Sequence, residues 1–312
     1  MDVSIIYVNW NSAEEIAASI ASIKARVRDV DYEIIVVDNN SAQSCAPLEQ
    51  QDVKLVRNPI NAGFGSGCNL GVTHSSGRYL LFLNPDTRLL SDILSCLAHF
   101  LDKTPKAGAC GPMVVREDNS IDFGAARADL TLVNEFLEHS TLAFRFPKNR
   151  FLGRPYYSFW DHNTTRPVDS LLGACMLFRR EIFERLGGFD ENFFLYAEEV
   201  DLCRRTREAG YDIYYVHTCH VLHKSKHSTT QFFGGMHTMI LQYLVSLNYY
   251  FKKHYGLAGM LAWRAVIFFV YTTRAVLGLR RGFLDYSLWS LGLRTYQEKR
   301  EWPDPSPAQK NR

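Results

Sequence analysis

LFLNPDT, residues 81–87, is an apolar run that stops on Asn84, Pro85 and Asp86. Turn chemistry alone explains such an ending, because Asn and Asp bond their own backbone and proline presets φ. The other apolar runs end in a similar way. VSIIYV (3–8) is followed by Asn9, Trp10 and Asn11, and EIIVV (33–37) by Asp38, Asn39, Asn40 and Ser41. KLVR (54–57) and RYLLFL (78–83) complete four strand-like runs, with helical stretches between several of them. EIIVV is apolar on both sides, as a buried parallel strand is. The alternation predicts an α/β fold with a mostly parallel central sheet flanked by helices. Ligands bind such sheets beyond the carboxyl ends of the strands. The Asn and Asp groups therefore mark one rim as the candidate site.

The first helix is expected to start at a capping box, Ser12-Ala13-Glu14-Glu15, with Ile16, Ile20, Ile23 and Val27 on one face. Residues 115–168 read as irregular and aromatic, a candidate substrate-selecting loop region. ACMLFRR (174–180) reads as a strand, EIFERLGGF as a short helix ended by Gly187 and Gly188, AEEVDLCRRTREAG (197–210) as a helix, and 211–225 as extended. Beyond residue 230 the chain reads as helical, aromatic and basic, ending in a charged, proline-rich tail expected to be disordered.

In 312 residues, 46% hydrophobic and 22% charged, a large core can form. A formal net charge of +2 lacks the basic bias of a nucleic-acid binder. Seven cysteines with no CxxC pair argue against a disulfide framework or a zinc ribbon and fit a reducing compartment. MDVSIIYVNW does not resemble a signal peptide. Residues 257–279 approach the length of a membrane span, but Arg264 and Arg274 interrupt them. They are read as a helix lying in a membrane surface or packed in a core.

Three groups of residues carry candidate chemistry. NAGFGSGCNLG (61–71) approximates the dinucleotide fingerprint, but its glycines are spaced one residue too long and stand off from their strand. Glu198, Glu199 and Asp201 crowd the first turn of a helix, more acid than the helix dipole requires. A carboxylate there stays ionised and can accept a proton. His217, His220, His223 and His227 fall close together. In an extended chain His217 and His223 share a face and His220 points away, so one imidazole joining an oxygen-rich metal site is easier to build than a four-histidine zinc site.

In order, these motifs resemble the family 2 inverting glycosyltransferases of the GT-A fold, especially bacterial rhamnosyltransferase-like members. The resemblance covers about residues 3–228. It implies a catalytic domain over 1–228, with a nucleotide-binding half to about 112 and an acceptor half over 113–228. A helical, membrane-associating extension over 229–300 and a tail over 301–312 complete the expected organisation.

The same resemblance implies an enzyme that moves a sugar, rhamnose being one candidate, from a dTDP- or UDP-sugar to a hydroxyl of a glycan or polyprenyl-linked glycan. Asn84-Pro85-Asp86 stands for the family's DxD motif. Asp86 and His223 would hold Mg2+ or Mn2+, and Asn84 supplies no charge. Tyr7, Asn9, Asp38, Asn61, Gly63, Asn69 and Asn84 would bind the nucleotide. Glu199 would be the general base, with Glu198 or Asp201 as alternatives. Asp169, Gly173 and Ala174 would meet the donor sugar or acceptor. Tyr249, Tyr250, Lys252, Lys253, Trp263, Arg280 and Arg281 suit a bilayer interface or a homodimer contact. The implied location is cytoplasmic, at the inner face of the bacterial membrane. An NAD-dependent oxidoreductase and a catalytically degenerate nucleotide- or glycan-binding scaffold are the competing readings.

Overall fold

The structure, a computed structural model, describes residues 1–224, 236–278 and 283–293. The first half alternates strand and helix: β1 (Val3–Asn9), α1 (Ala13–Arg26), β2 (Tyr32–Asn39), the short α2 (Ala46–Glu49), β3 (Lys54–Asn58), α3 (Phe64–Thr73) and β4 (Tyr79–Leu83). Then follow β5 (Thr87–Leu89), α4 (Ile93–Lys103), β6 (Ala107–Val115), β7 (Ala126–Arg127), α5 (Leu132–His139), α6 (Leu142–Arg145), β8 (Arg166–Val168) and β9 (Ser170–Leu171). The chain continues through β10 (Cys175–Arg179), α7 (Arg180–Arg185), α8 (Glu198–Glu208) and β11 (Asp212–His223). Two C-terminal helices, α9 (Met236–Val276) and α10 (Phe283–Ser290), complete the described elements.

One sheet organises the molecule, in the order β3-β2-β1-β4-β10-β6-β11-β5, with β8 also on β11. β1 pairs in parallel with β2 and β4, and β2 with β3, while β10 runs antiparallel between β4 and β6. β1, β4 and most of β2 are buried on both faces, as central parallel strands are, while the edge strand β3 keeps Lys54 and Arg57 exposed. Asn9 stands opposite Asp38, and Asn39 opposite Asn58, so the polar strand ends align on one rim.

The glycine-rich stretch is not a loop. Its residues from Phe64 form α3, and the glycines let that helix lie close on the sheet. A Cβ at Gly67 would come 2.9 Å from a Val8 methyl, and one at Gly71 2.6 Å from an Ile6 methyl. Helix α1 starts without a capping box. The Ser12 hydroxyl donates to the Trp10 carbonyl, and Asn9 Oδ1 accepts from the Ser12 N–H instead. Residues 115–168, expected to be irregular, contain α5, α6 and short strands, because Leu137 and Ala143 find a buried face there.

Met236–Val276 is long and apolar enough to cross a membrane by length and composition, but it turns sharply at Gly256 (φ 69°, ψ −172°). Its inner face buries Leu244, Leu247, Tyr250, Phe251, Trp263 and Ile267 against Phe193, Ala197 and Val200. The Trp263 ring N–H donates to the Glu135 carboxylate of α5 at 3.2 Å. Both arginines of the 257–279 segment turn back onto protein carbonyls, Arg264 onto Ser290 and Trp289, Arg274 onto His139. His227, Arg280, Arg281 and the tail 301–312 lie outside the described residues.

Helix α3 offers a direct test. Gly71→Ala must push Ile6 aside, an overpacking cost of about 1–3 kcal/mol. Urea unfolding should show a lower midpoint at an unchanged m value, and an unaltered midpoint contradicts the close approach.

Candidate active site

Side chains alternate along a strand, so only one parity of each rim strand faces a given side. Val8, Trp10 and Asn39 line a cavity of about 370 Å³ at the rim. Tyr7 has the other parity. It is buried with its hydroxyl 2.7 Å from Ser19 on α1, so it does not line a nucleotide base. Asn9 and Asp38 are likewise absent from the cavity wall. The Asn9 amide donates to the Asp38 carboxylate at 2.9 Å and to Ser41, a buried pair beside the cleft.

Asn61, Gly63, Asn84 and Asp86 do line the cavity, as do Gly173 and Ala174. Asn61 Oδ1 accepts from the Gly63 N–H at 3.0 Å, while its buried Nδ2 has no protein partner among the described residues. Asn69 faces the opposite way. It accepts from the Phe189 N–H and donates to the Phe189 carbonyl, both at 2.9 Å, which removes it from any ligand. Asp169 also lies outside. Its Oδ2 accepts from the Asp129 N–H and the Tyr157 hydroxyl, and Arg207 stands 3.9 Å from its other oxygen.

The Asn84-Pro85-Asp86 turn joins β4 to β5. Antiparallel pairing of β5 with β11 sets His223 opposite Thr87. His223 Nε2 consequently comes 3.2 Å from Asp86 Oδ1, although 137 positions separate them. Burial pushes the Asp86 carboxyl up, but the hydrogen bond and charge of His223 outweigh it and hold the group below its usual range. A bulge between Val216 and His220 interrupts β11, so simple alternation does not carry from His217 to His223. His217 bonds Thr165 instead. No group of three or more His, Cys, Asp or Glu side chains capable of holding a metal occurs among the described residues. The Asp86–His223 pair still fits a divalent ion that keeps water and substrate oxygens. Adjacent ligands of an octahedral Mg2+ lie ~3.0 Å apart, from bonds of ~2.1 Å.

The same cavity is lined by Glu198 and Glu199, the first residues of α8. Glu198 is buried, with Oε2 unpartnered among the described residues. Burial, then the neighbouring Glu199 charge, pushes its carboxyl well above the usual range. Glu199 is half-buried against Gly173 and is raised by burial, with the Arg127 charge opposing. Asp201 is excluded as a base. Arg205 of α8 (2.7 Å) and Lys253 (2.6 Å) and His254 (2.7 Å) of α9 surround it. Burial pushes Asp201 up, but these partners outweigh it and its carboxyl lies below the usual range.

The turn before α8 is unusual. Tyr196 and Ala197 both hold positive φ, at 72° and 68°. Each non-glycine residue in that region costs roughly 1–2 kcal/mol. Phe194, Leu195, Tyr196, Phe64, Leu172 and Met239 also line the cavity. The apolar NFFLYA (192–197) just before the acids is the one sequence signal that marks this wall.

A sequence model of glycosyl transferase family 2 matches residues 4–187. Another, described as the N-terminal domain of galactosyltransferase, matches 154–231. The chain is 29% identical over 240 residues to N-acetylglucosaminyl-diphospho-decaprenol L-rhamnosyltransferase of Mycobacterium tuberculosis, covering 72% of this chain and 76% of that one. It is 28% identical over 216 residues to rhamnosyltransferase WbbL of Escherichia coli K12, covering 66% and 78%. The fold resembles the mannosyltransferase PcManGT of Pyrobaculum calidifontis in complex with GDP-Man and Mn2+, at a TM-score of 0.54 and 16% identity, covering 93% and 84%.

Glu198 yields a stability test. Its folded pKa lies above the unfolded value of about 4.5, so the group favours folding below that value and this contribution is lost as pH rises through the raised pKa. Glu198→Gln should therefore raise Tm more at pH 8.5 than at pH 5.5, and an equal change at both would show that the carboxyl is not strained by burial.

Proposed function

Since the chain belongs to glycosyl transferase family 2, we propose that this glycosyltransferase moves a sugar from a nucleoside-diphosphate donor to an acceptor hydroxyl with inversion. The observation that carries this is one cavity whose lining includes Asp86, His223 and Glu199 together. Asp86 and His223 would hold Mg2+ or Mn2+. Such an ion, when bound, neutralises charge that grows on the leaving diphosphate. Glu199 takes the proton of the acceptor hydroxyl. That oxygen bonds the anomeric carbon as the bond from carbon to phosphate oxygen breaks, and the diphosphate leaves from the opposite face. A carboxyl raised by burial is closer to a working base near neutral pH than an exposed one. Asn61 Nδ2 and the Trp10 side of the cavity are set against the nucleotide.

Two relatives named as rhamnosyltransferases support a rhamnosyl donor, carried as dTDP or UDP. The decaprenol in one name supports a polyprenyl-linked glycan acceptor and a role in cell-surface polysaccharide synthesis. A dinucleotide site loses its support, because Gly67 and Gly71 are packed against β1 and β2 and Gly65 against Phe189.

The same reading sets the enzyme at the inner face of the membrane. Residues 213–312 carry 13 Lys and Arg against 4 Asp and Glu, whereas 1–212 carry 22 against 29. The surface for lipid is not the aromatic belt expected from sequence, because Tyr250 and Trp263 are buried and Lys253 is paired with Asp190 and Asp201. It is instead the outer stripe Leu257, Leu261, Phe269 and Val276 of α9, 54–79% exposed, with Leu284 of α10.

Asp86→Asn and Glu199→Gln should each lower kcat/KM for sugar transfer by about 10²–10⁴-fold with the fold intact. EDTA should abolish wild-type transfer, and Mn2+ should restore it. Activity persisting in both variants contradicts the assignment. The wild-type rate should fall as pH drops through the raised Glu199 pKa, since the base must be ionised. Sedimentation with vesicles tests the lipid face: the protein should pellet with anionic but not zwitterionic vesicles, and Leu261→Glu with Phe269→Glu should release it.

A further inference from the structure

The segment that delivers the acids is held from two sides. On one side stands α3. Asn69 bonds both backbone groups of Phe189, and the Phe64 N–H donates to the Phe194 carbonyl at 3.1 Å. Gly63 makes room for this, since a Cβ there would collide with that carbonyl. On the other side stands α9. Ser246, buried, donates its hydroxyl to the Leu195 carbonyl at 2.7 Å. Tyr249 donates to Asp190 at 3.0 Å, and Lys253 pairs with Asp190 at 2.7 Å and Asp201 at 2.6 Å. Residues 246, 249 and 253 follow i, i+3, i+7 spacing and so share one helix face. That face grips the acid-bearing segment before the turn, at Asp190 and Leu195, and after it, at Asp201.

Between the grips lie Tyr196 and Ala197, the two consecutive left-handed residues. Such a backbone persists only where its surroundings over-determine it. Released, the turn relaxes and the start of α8 rotates with it.

We propose that α9 is a positioning element for the transfer reaction, and that Ser246 is its key positioning residue, locking the strained Tyr196–Ala197 turn so that the acidic pair faces the donor across the cleft. This rests on the reading of Glu199 as base. It gives the C-terminal helices a part in turnover that is separate from any lipid contact on their outer face.

The test uses the full chain with Ser246→Ala and, separately, Ala197→Gly, which tolerates the left-handed region without its strain. Both should fold, with Tm within about 3 °C of wild type. Ser246→Ala should lose about ten- to a hundredfold in kcat, as misplacement of a reacting group does, while donor KM stays within about twofold. Amide exchange over residues 195–202 should accelerate roughly tenfold in Ser246→Ala and stay near the wild-type rate in Ala197→Gly, with protection of β1 and β4 unchanged in both. Wild-type kcat in Ser246→Ala overturns the proposal. So does a loss of kcat that comes with an equal rise in KM and exchange raised throughout the sheet. Glu199→Gln measured alongside keeps the two questions apart. Activity retained there overturns the base assignment alone and leaves the kcat and exchange split in Ser246→Ala to decide the role of α9.

Discussion

The ladder between Thr87–Leu89 and Val221–His223 is the contact on which the cleft depends. It is short, and it joins the turn after β4 to the last residue of β11. Without it Asp86 is a lone carboxylate at a strand end. With it an imidazole stands 3.2 Å away, and the Lys224 N–H bonds the Asp86 carbonyl behind them. Two side chains from separate parts of the chain then form a preorganised oxygen and nitrogen pair. Backbone pairing holds both strands, so the pair needs no ordering when ligand arrives.

The start of α8 shows how buried charge is managed. Asp201 is fully buried and surrounded by three cationic or imidazole partners, which keep it ionised and structural. Three residues earlier, Glu198 is as deeply buried with one oxygen unpartnered among the described residues. Glu199, between them, opens on the cleft. Neighbouring acids on one helical turn thus face different surroundings, and those surroundings assign their chemistry. A purely structural helix start would gain from acids near its dipole but would not keep one buried without a partner.

Much of this was legible in the sequence. The β-α-β alternation, the shared rim, the NPDT turn and the acid cluster at 198–201 were all visible in spacing and residue type, and they led to the fold and to the family. Parity within the strands was not visible. Buried parallel strands are apolar on both faces, so VSIIYV and EIIVV carry no alternation to say which side faces the rim. Residue type therefore points to Tyr7, Asn9 and Asp38, whereas Val8, Trp10 and Asn39 line the cavity. Asn69 and Asp169 lie away from the cavity for a related reason. Their roles are set by Phe189 and by Asp129 and Tyr157, partners that local sequence does not name.

The sequence by itself determined which residue types stand at the strand ends and at the start of α8, because strand and helix periods and turn chemistry act over a few neighbouring residues. Tertiary structure alone decided which of them meet. His223 reaches Asp86 only through strand pairing, and the acid turn is gripped by α3 and by α9 from beyond it in the chain. Those contacts are long-range packing and hydrogen bonding, whose geometry is set by how layers close on one another and leaves no periodic trace in the chain.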